Sequence, residues 1–581
     1  MRMMNKLTFP VSGSDAFQME KRQVNILTKH FFKRFFENDD LTEDGQAGRK
    51  LRIVLVLMGF LGGYLALALL KPYLGSADRS ASWVEKSYLI GFYMLIMAIF
   101  DILQWKTMNL DGRDFNNLAV LPIKPRVLFL SKYLSLLRLM SLFFIATTAL
   151  PALIFPMILL RGQAAGVLGF LRFFLVHLSV FFLAYLFVLS VCGLLDGFFC
   201  LLLKSAPYRR ISAYLQIILL IGLTFAMIIL VAFFTLYPEI YSSFPSLLRQ
   251  HPERLRALPF FWFGGLYESL LGNPEHLFDS MARTALGVTV LGCFLHVGLA
   301  VLNYRKHLRP RGESDRTARS FKGGQTAGRL FNALFLPTST QRAVFHFVRI
   351  TLKRIAKYKL IIGGYAAVAF SLFLVLLMTL GFKMSHEDFL FHDKLVLIFP
   401  HIVTIFLLAG SRAAANFPET LEANWIFKIT EIREIEAYRL GLKKAVFFLV
   451  ILPSYVLLFV LYQFLLPVQV ASIYLGYGLL NSSIAVAVCF FGYAKIPFAC
   501  GYGTRGLGLG MIRWLAGGAA YVFAASGTGY RLLKRPDLFP YYGAFAVLLL
   551  IGIQILEKRI AVNNPRLAFE EIPDCVGFKT L

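Results

Sequence analysis

Twelve stretches of the chain are apolar, and almost free of charge, for long enough to cross the roughly 30 Å hydrocarbon core of a bilayer as helices. They fall near residues 52–74, 87–105, 135–160, 172–203, 211–236 and 284–303. Six more follow near 360–382, 394–411, 445–466, 468–494, 511–529 and 538–557. The polar positions gather between these runs, so the pattern predicts an all-α polytopic membrane protein.

Lys and Arg set the expected orientation, because short cytoplasmic loops carry an excess of both. The first fifty residues hold Lys6, Lys21, Arg22, Lys29, Lys33, Arg34, Arg49 and Lys50, with no apolar signal core before the first span. The connections after the second, sixth and eighth spans are also basic, the sixth most of all, from Arg305 to Arg329. Those after the third and ninth spans have little or none. Both termini are therefore expected in the cytoplasm, in a multi-pass protein of the inner (plasma) membrane. Arg531, Lys534 and Arg535 run against this pattern, since the topology puts them outside.

Composition agrees. Of 581 residues, 57% are hydrophobic and 16% charged, and the mean hydropathy is +0.64. A soluble domain has about 45–50% apolar and about 25% charged residues. The net charge of +27 could mark nucleic-acid binding, but the basic clusters alternate with spans, as topology and anionic lipid require. No nucleic-acid partner is expected. The six cysteines are scattered without a CxxC pair and read as small buried hydrophobes, with no metal site.

The second half restates the first at an offset of roughly 306 residues. Each half opens with an amphipathic stretch expected to lie as a helix in the membrane interface. In the first, Val24, Leu27, Phe31 and Phe35 oppose Lys29, Lys33 and Arg34; in the second, Val344, Val348, Leu352 and Ile355 oppose Arg349, Lys353 and Arg354. Two spans, a long polar connection and four spans follow each. An even number of spans makes the two six-helix repeats parallel. The expected organisation is an N-terminal segment with its interface helix (1–50), a first repeat (51–304), a flexible basic linker (305–340), a second interface helix and repeat (341–560), and a C-terminal tail (561–581).

The long connections carry matched apolar clusters amid charge: Leu118, Val120, Leu121 and Ile123 beside Lys124 and Arg126, then Trp425, Ile426, Phe427 and Ile429 beside Lys428 and Glu431. A partner-docking helix explains such anchors, with charges setting register; helices resting on lipid headgroups are the alternative. The run from Leu121, Pro122 and Ile123 to Ser131 and Lys132 resembles the coupling-helix region of six-span ABC-2-type exporter permeases. The run from Glu422 to Arg439 is similar to its counterpart, with Lys428 where Pro122 stands. The order of elements resembles that family over nearly the whole chain, including the aromatic segment Pro259–Tyr267 with Trp262 and Phe263, where the family has short re-entrant outer helices.

The resemblance implies a fused twelve-span permease, without an ATPase site, moving a hydrophobic or amphipathic substrate. Two copies of a soluble ATP-binding subunit would dock at Leu118, Leu121, Pro122, Ile123, Lys124 and Arg126, and at Trp425, Phe427, Lys428 and Glu431. Those subunits would bind ATP and Mg, for this chain has no Gly-x-x-x-x-Gly-Lys-Ser/Thr loop and no cofactor of its own is expected. Gly501–Gly506 matches GxGxxG but lies between spans, outside any βαβ unit, and reads as a turn. An ion-driven secondary transporter and a non-transporting scaffold are the other classes considered. Ionisable residues within spans are functional candidates by default: Asp101, Asp196, His177, His296 and His401. The two acids lie near span ends and are expected to reach water or pair locally. His401 is a candidate for the translocation path or a hydrogen-bonded core residue.

Overall fold

The computed structural model describes residues 13–34, 46–74, 82–105, 118, 121, 123–161, 166–203, 205–236, 246, 250, 257–273, 275–307, 324–383, 393–418, 434–463, 466–493, 495–499 and 507–563. Among them every regular element is a helix: α1 (Gly13–Arg34), α2 (Gln46–Leu70), α3 (Ser82–Leu103), α4 (Pro125–Leu159), α5 (Gly166–Leu202), α6 (Ser205–Leu236), α7 (Pro259–Leu271), α8 (His276–His307), α9 (Gly324–Phe335), α10 (Ser339–Arg354), α11 (Ala356–Lys383), α12 (Asp393–Ala415), α13 (Ile435–Val446), α14 (Leu452–Tyr462), α15 (Val468–Cys489), α16 (Leu507–Lys534) and α17 (Phe539–Asn563).

Eleven helices among the described residues are long and apolar enough to cross a membrane. Each matches one of the twelve predicted runs. The remaining run, 511–529, lies inside α16, which is not among the eleven. Large apolar side chains such as Phe60 (68%), Phe294 (76%) and Leu548 (67%) stand exposed along α2, α8 and α17. Water would not tolerate so continuous an apolar surface, whereas lipid chains solvate it. The chain is a multi-pass membrane protein.

Its contacts divide it into two units. Residues 1–208 and 230–313 form the first, and residues 209–229 and 314–581 the second. In the first, α2 runs along α4, while α3, α5, α7 and α8 pack together. Glycine permits the closest approach: a Cβ on Gly193 would stand 2.2 Å from Cε1 of His296, and one on Gly264 would stand 1.8 Å from Oγ of Ser87. Pro125 opens α4 at a position whose amide has no helical acceptor anyway. α7 also opens on a proline, Pro259, and stops at Gly272, whose φ of +88° suits a left-handed cap. Its 13 residues rise only about 20 Å, too short to span.

In the second unit α10 packs on α13, and α11, α15 and α16 pack around α12. Phe373 stacks on Phe399 with ring centroids 3.9 Å apart, over a core that includes Tyr455 and Tyr462. Between α13 and α14 the helix widens into a π-turn, Phe447–Ile451. Pro453 follows at once; it has no N–H for the carbonyl four residues back, and the wider turn takes up its ring without breaking the helix. The segment 209–229 of α6 belongs here, with Thr224 Oγ1 2.6 Å from Ser371 Oγ, which donates to the Ile221 carbonyl at 3.0 Å.

The flexible linker expected over 305–340 contains α9, whose Phe331 and Phe335 lie 5.1 Å and 4.9 Å from the ring of Phe448. Gly and Arg flank these aromatics and hid them. The amphipathic stretches expected in the interface form α1 and α10, and the chain itself covers their apolar faces: Leu27 and Phe31, like Val344 and Val348, are buried. Apolar area shed from water gains equally against protein, and a protein surface adds shape-matched packing.

Candidate functional site

The first elbow forms where α1 lies across the start of α4. Leu27, Phe31, Val127 and Leu128 make its buried centre, with Val24, Leu118 and Ile123 packed against them. Polar contacts fasten the rim. Lys124 pairs with Glu20, Lys132 stands 5.6 Å over the ring of Phe31, and Arg138 stands 4.8 Å over that of Phe32. Backbone bonds from Leu121 N to Leu118 O (3.2 Å) and Ile123 N to Leu121 O (2.7 Å) tighten the approach to Pro125.

These contacts divide the residues expected to dock a partner. Leu118 and Ile123 serve the elbow's own core. Leu121 is 49% exposed, and Lys124 and Arg126 are exposed with it. Pro122, and on the second side Trp425, Phe427, Lys428 and Glu431, lie outside the described residues.

A second elbow repeats the plan in the second unit, where α10 packs on α13, which begins the third expected span of its half. Thr338 caps α10 by accepting from Gln341 N at 3.2 Å, and Thr340 Oγ1 donates to Glu434 at 2.9 Å. Lys444 Nζ donates to Gln341 Oε1 at 3.0 Å and to the Phe335 carbonyl at 2.7 Å. Tyr438 OH and Arg439 Nε donate to the Lys495 and Tyr493 carbonyls, at 2.8 Å and 3.1 Å. Behind them Lys443 and Glu557 form a buried ion pair, and Glu557 also accepts from Gly492 N at 3.1 Å. Burial, then the nearby Arg349, hold His346 of α10 below the ordinary imidazole range. It is neutral at pH 7, so the positive charge of that exposed face comes from Arg342, Arg349, Lys353 and Arg354.

The chain matches no family model, no curated protein and no solved structure.

Away from the elbows, α7 seats Phe263 fully buried and Trp262 partly so, both against Phe187 at 5.7 Å and 6.1 Å. A buried ion pair, Lys86 to Glu268 at 2.6 Å, ties α7 to α3. Lys86 also stands 5.3 Å from the rings of Phe173 and Tyr267, and Tyr267 OH lies 2.9 Å from Nδ1 of His177. The sequence pattern hides this pair, because Lys86 falls one place before the apolar run that starts at residue 87. An acid in an aromatic segment, Glu268, was the available signal. His401 is buried in the second unit, its Nδ1 3.3 Å from Tyr521 OH and its ring edge-on to Tyr477. This is the setting of a hydrogen-bonded core histidine. Thr404, Tyr455 and Ser482 nearby hold their hydroxyls 2.8–2.9 Å apart.

The two intramembrane acids part company. Asp196 pairs locally, as expected, with Trp105 and Tyr208. Asp101 neither reaches water nor pairs: it is 2% exposed, and neither carboxyl oxygen has a hydrogen-bond partner. The cause is α3, which is packed along almost its whole length and shields the residue that its span-end position would have exposed. No group of three His, Cys, Asp or Glu suited to a metal occurs among the described residues. Gly501–Gly506 and the tail 564–581 lie outside them.

Proposed function

We propose that this chain is the membrane permease of an ATP-driven exporter, twelve spans in two parallel halves, worked by two separate nucleotide-binding subunits that dock at the two elbows. The observation that supports this reading is the pair of elbows: in each unit an amphipathic basic helix packs across the start of a long apolar helix. A mechanical input applied there would move a span directly, because the helix is fastened to it by buried apolar contacts and by cation–π or hydrogen-bonded side chains. The exposed Leu121, Lys124 and Arg126 at the first elbow offer an apolar anchor framed by positive charge, suited to a groove with acidic rims. The chain itself performs no chemistry in this reading. ATP and Mg are held by the partner, and the cargo is hydrophobic or amphipathic, matching the apolar, aromatic spans.

The test is copurification of a Walker-loop ATPase with the full-length protein in detergent, and the change of its hydrolysis rate on assembly. Leu121→Asp is expected to weaken association at least about tenfold, the usual effect of losing one buried anchor of about 1.4 kcal/mol, while leaving thermal unfolding of the permease unchanged. Association undiminished in that variant, or transport driven by an ion gradient with no ATPase bound, overturns the reading.

A further inference from the structure

Helices α3, α4, α5 and α8 of the first unit enclose an acid that none of them answers. Tyr93, Met97 and Asp101 recur at four-residue steps on α3 and are buried together. The electrostatic neighbours of Asp101 are Tyr93 on its own helix, Tyr133 on α4, and Tyr185 and Cys192 on α5. Behind Tyr133 stand Cys293 and His296 on α8, the histidine ring 6.0 Å from the tyrosine ring. On α7 the ionisable groups are engaged elsewhere, Glu268 with Lys86 and Tyr267 with His177. α2 brings neither acid nor base between Arg52 and Lys71. The hydroxyls of Tyr93 and Tyr185 are, like the acid, buried without a hydrogen-bond partner.

A carboxylate in such a place lacks everything that makes buried charge tolerable, namely a cation, donor groups and water. Nor do the surroundings suit a larger ligand. Tyr93 packs 5.3 Å from Phe181 and Phe100 packs 4.2 Å from Phe143, ring centroid to ring centroid. A proton needs one oxygen and no space.

We propose that Asp101 is a proton-binding site built into the first unit, occupied when α3 and α5 are packed as here and emptied only when they part enough to admit water. On release the carboxyl O–H bond breaks, its electron pair stays on the carboxylate oxygen, and the proton passes to water. The newly wet carboxylate is then solvated by the water that entered. Because packing and protonation are linked, acid favours the packed arrangement and alkali the parted one. This holds whether or not an ATPase drives the protein, so its failure and that of the exporter reading are separable.

Two measurements on the full-length protein in lipid nanodiscs test it, neither involving nucleotide. The first is the infrared carbonyl band of protonated carboxyl groups. Water-exposed Asp and Glu are ionised well below about pH 6, so the expected result is a band that persists at about pH 7, fades toward about pH 10, and is missing at both in Asp101→Asn. No such band in the wild type, or one that survives in the variant, overturns the proposal. The second is maleimide labelling of Cys192, taken as the ratio of wild type to Asp101→Asn at each pH so that thiol chemistry cancels. That ratio is expected to rise several-fold from about pH 6 to about pH 9; a flat ratio overturns the linkage. If Asp101→Asn does not fold, the wild-type infrared titration decides alone.

Discussion

At the scale of single residues the membrane interior holds its ionisable groups in contrasting ways. Lys86 and Glu268 are buried and joined at 2.6 Å, with two aromatic rings 5.3 Å from the ammonium group. Removing one partner strands the other, which costs about 3–5 kcal/mol, whereas replacing both with apolar groups of similar volume is close to neutral. Glu268→Ala is therefore expected to lower the unfolding midpoint in detergent sharply, and Lys86→Met with Glu268→Leu to restore most of it. If the double variant is as unstable as the single, the pair is not acting as a compensated charge pair. Asp101 represents the second way, an acid with no partner at all. Residue identity revealed neither arrangement. That Glu268 meets Lys86, 182 positions earlier, or that Asp101 meets only phenols and a thiol, depends on which helices become neighbours, and periodicity within one helix says nothing of that.

At the scale of elements the sequence is far more legible, because a span is a local property: some twenty apolar residues without charge need no tertiary partner to declare themselves. Eleven of the predicted runs became helices able to cross. The amphipathic stretches are legible too, but not that α4 and α13 cover their apolar faces. Amphipathicity reveals that a face will be buried and is silent on what buries it. Contact between spans is where small residues matter. A Cβ on Gly193 would collide with the ring of His296, so Gly193→Ala is expected to destabilise the first unit by about 1–3 kcal/mol, as overpacking does. Adding His296→Ala should relieve most of that loss, read as the thermal midpoint of the two variants. A loss left in place by the second change would mean that the two helices do not approach through this glycine.

At the scale of the molecule the two units do not follow the two halves of the chain. Residues 209–229 lie in the first half by sequence yet pack in the second unit, where Thr224 and Ser371 join hydroxyls. Self-similarity expected between segments of the sequence carries no hint of this, since it compares segments and does not say which unit a helix packs in. Fragments 1–313 and 314–581 expressed together are accordingly expected to copurify, with Thr224→Leu and Ser371→Leu reducing the yield of the pair. Fragments that separate freely would show that 209–229 does not hold to the second unit.

That placement limits how the protein can be rebuilt. α6 is one continuous helix whose middle is lodged in one body while both its ends are counted in the other. A cut at the end of the first predicted half, near residue 304, therefore separates residues 209–229 from the unit they are grouped with. A chimera that exchanged the first 304 residues for a different sequence would set foreign residues at 209–229 against the second unit, so compatibility would have to be engineered at Ile217, Thr224, Gly363 and Ser371 before any junction was chosen.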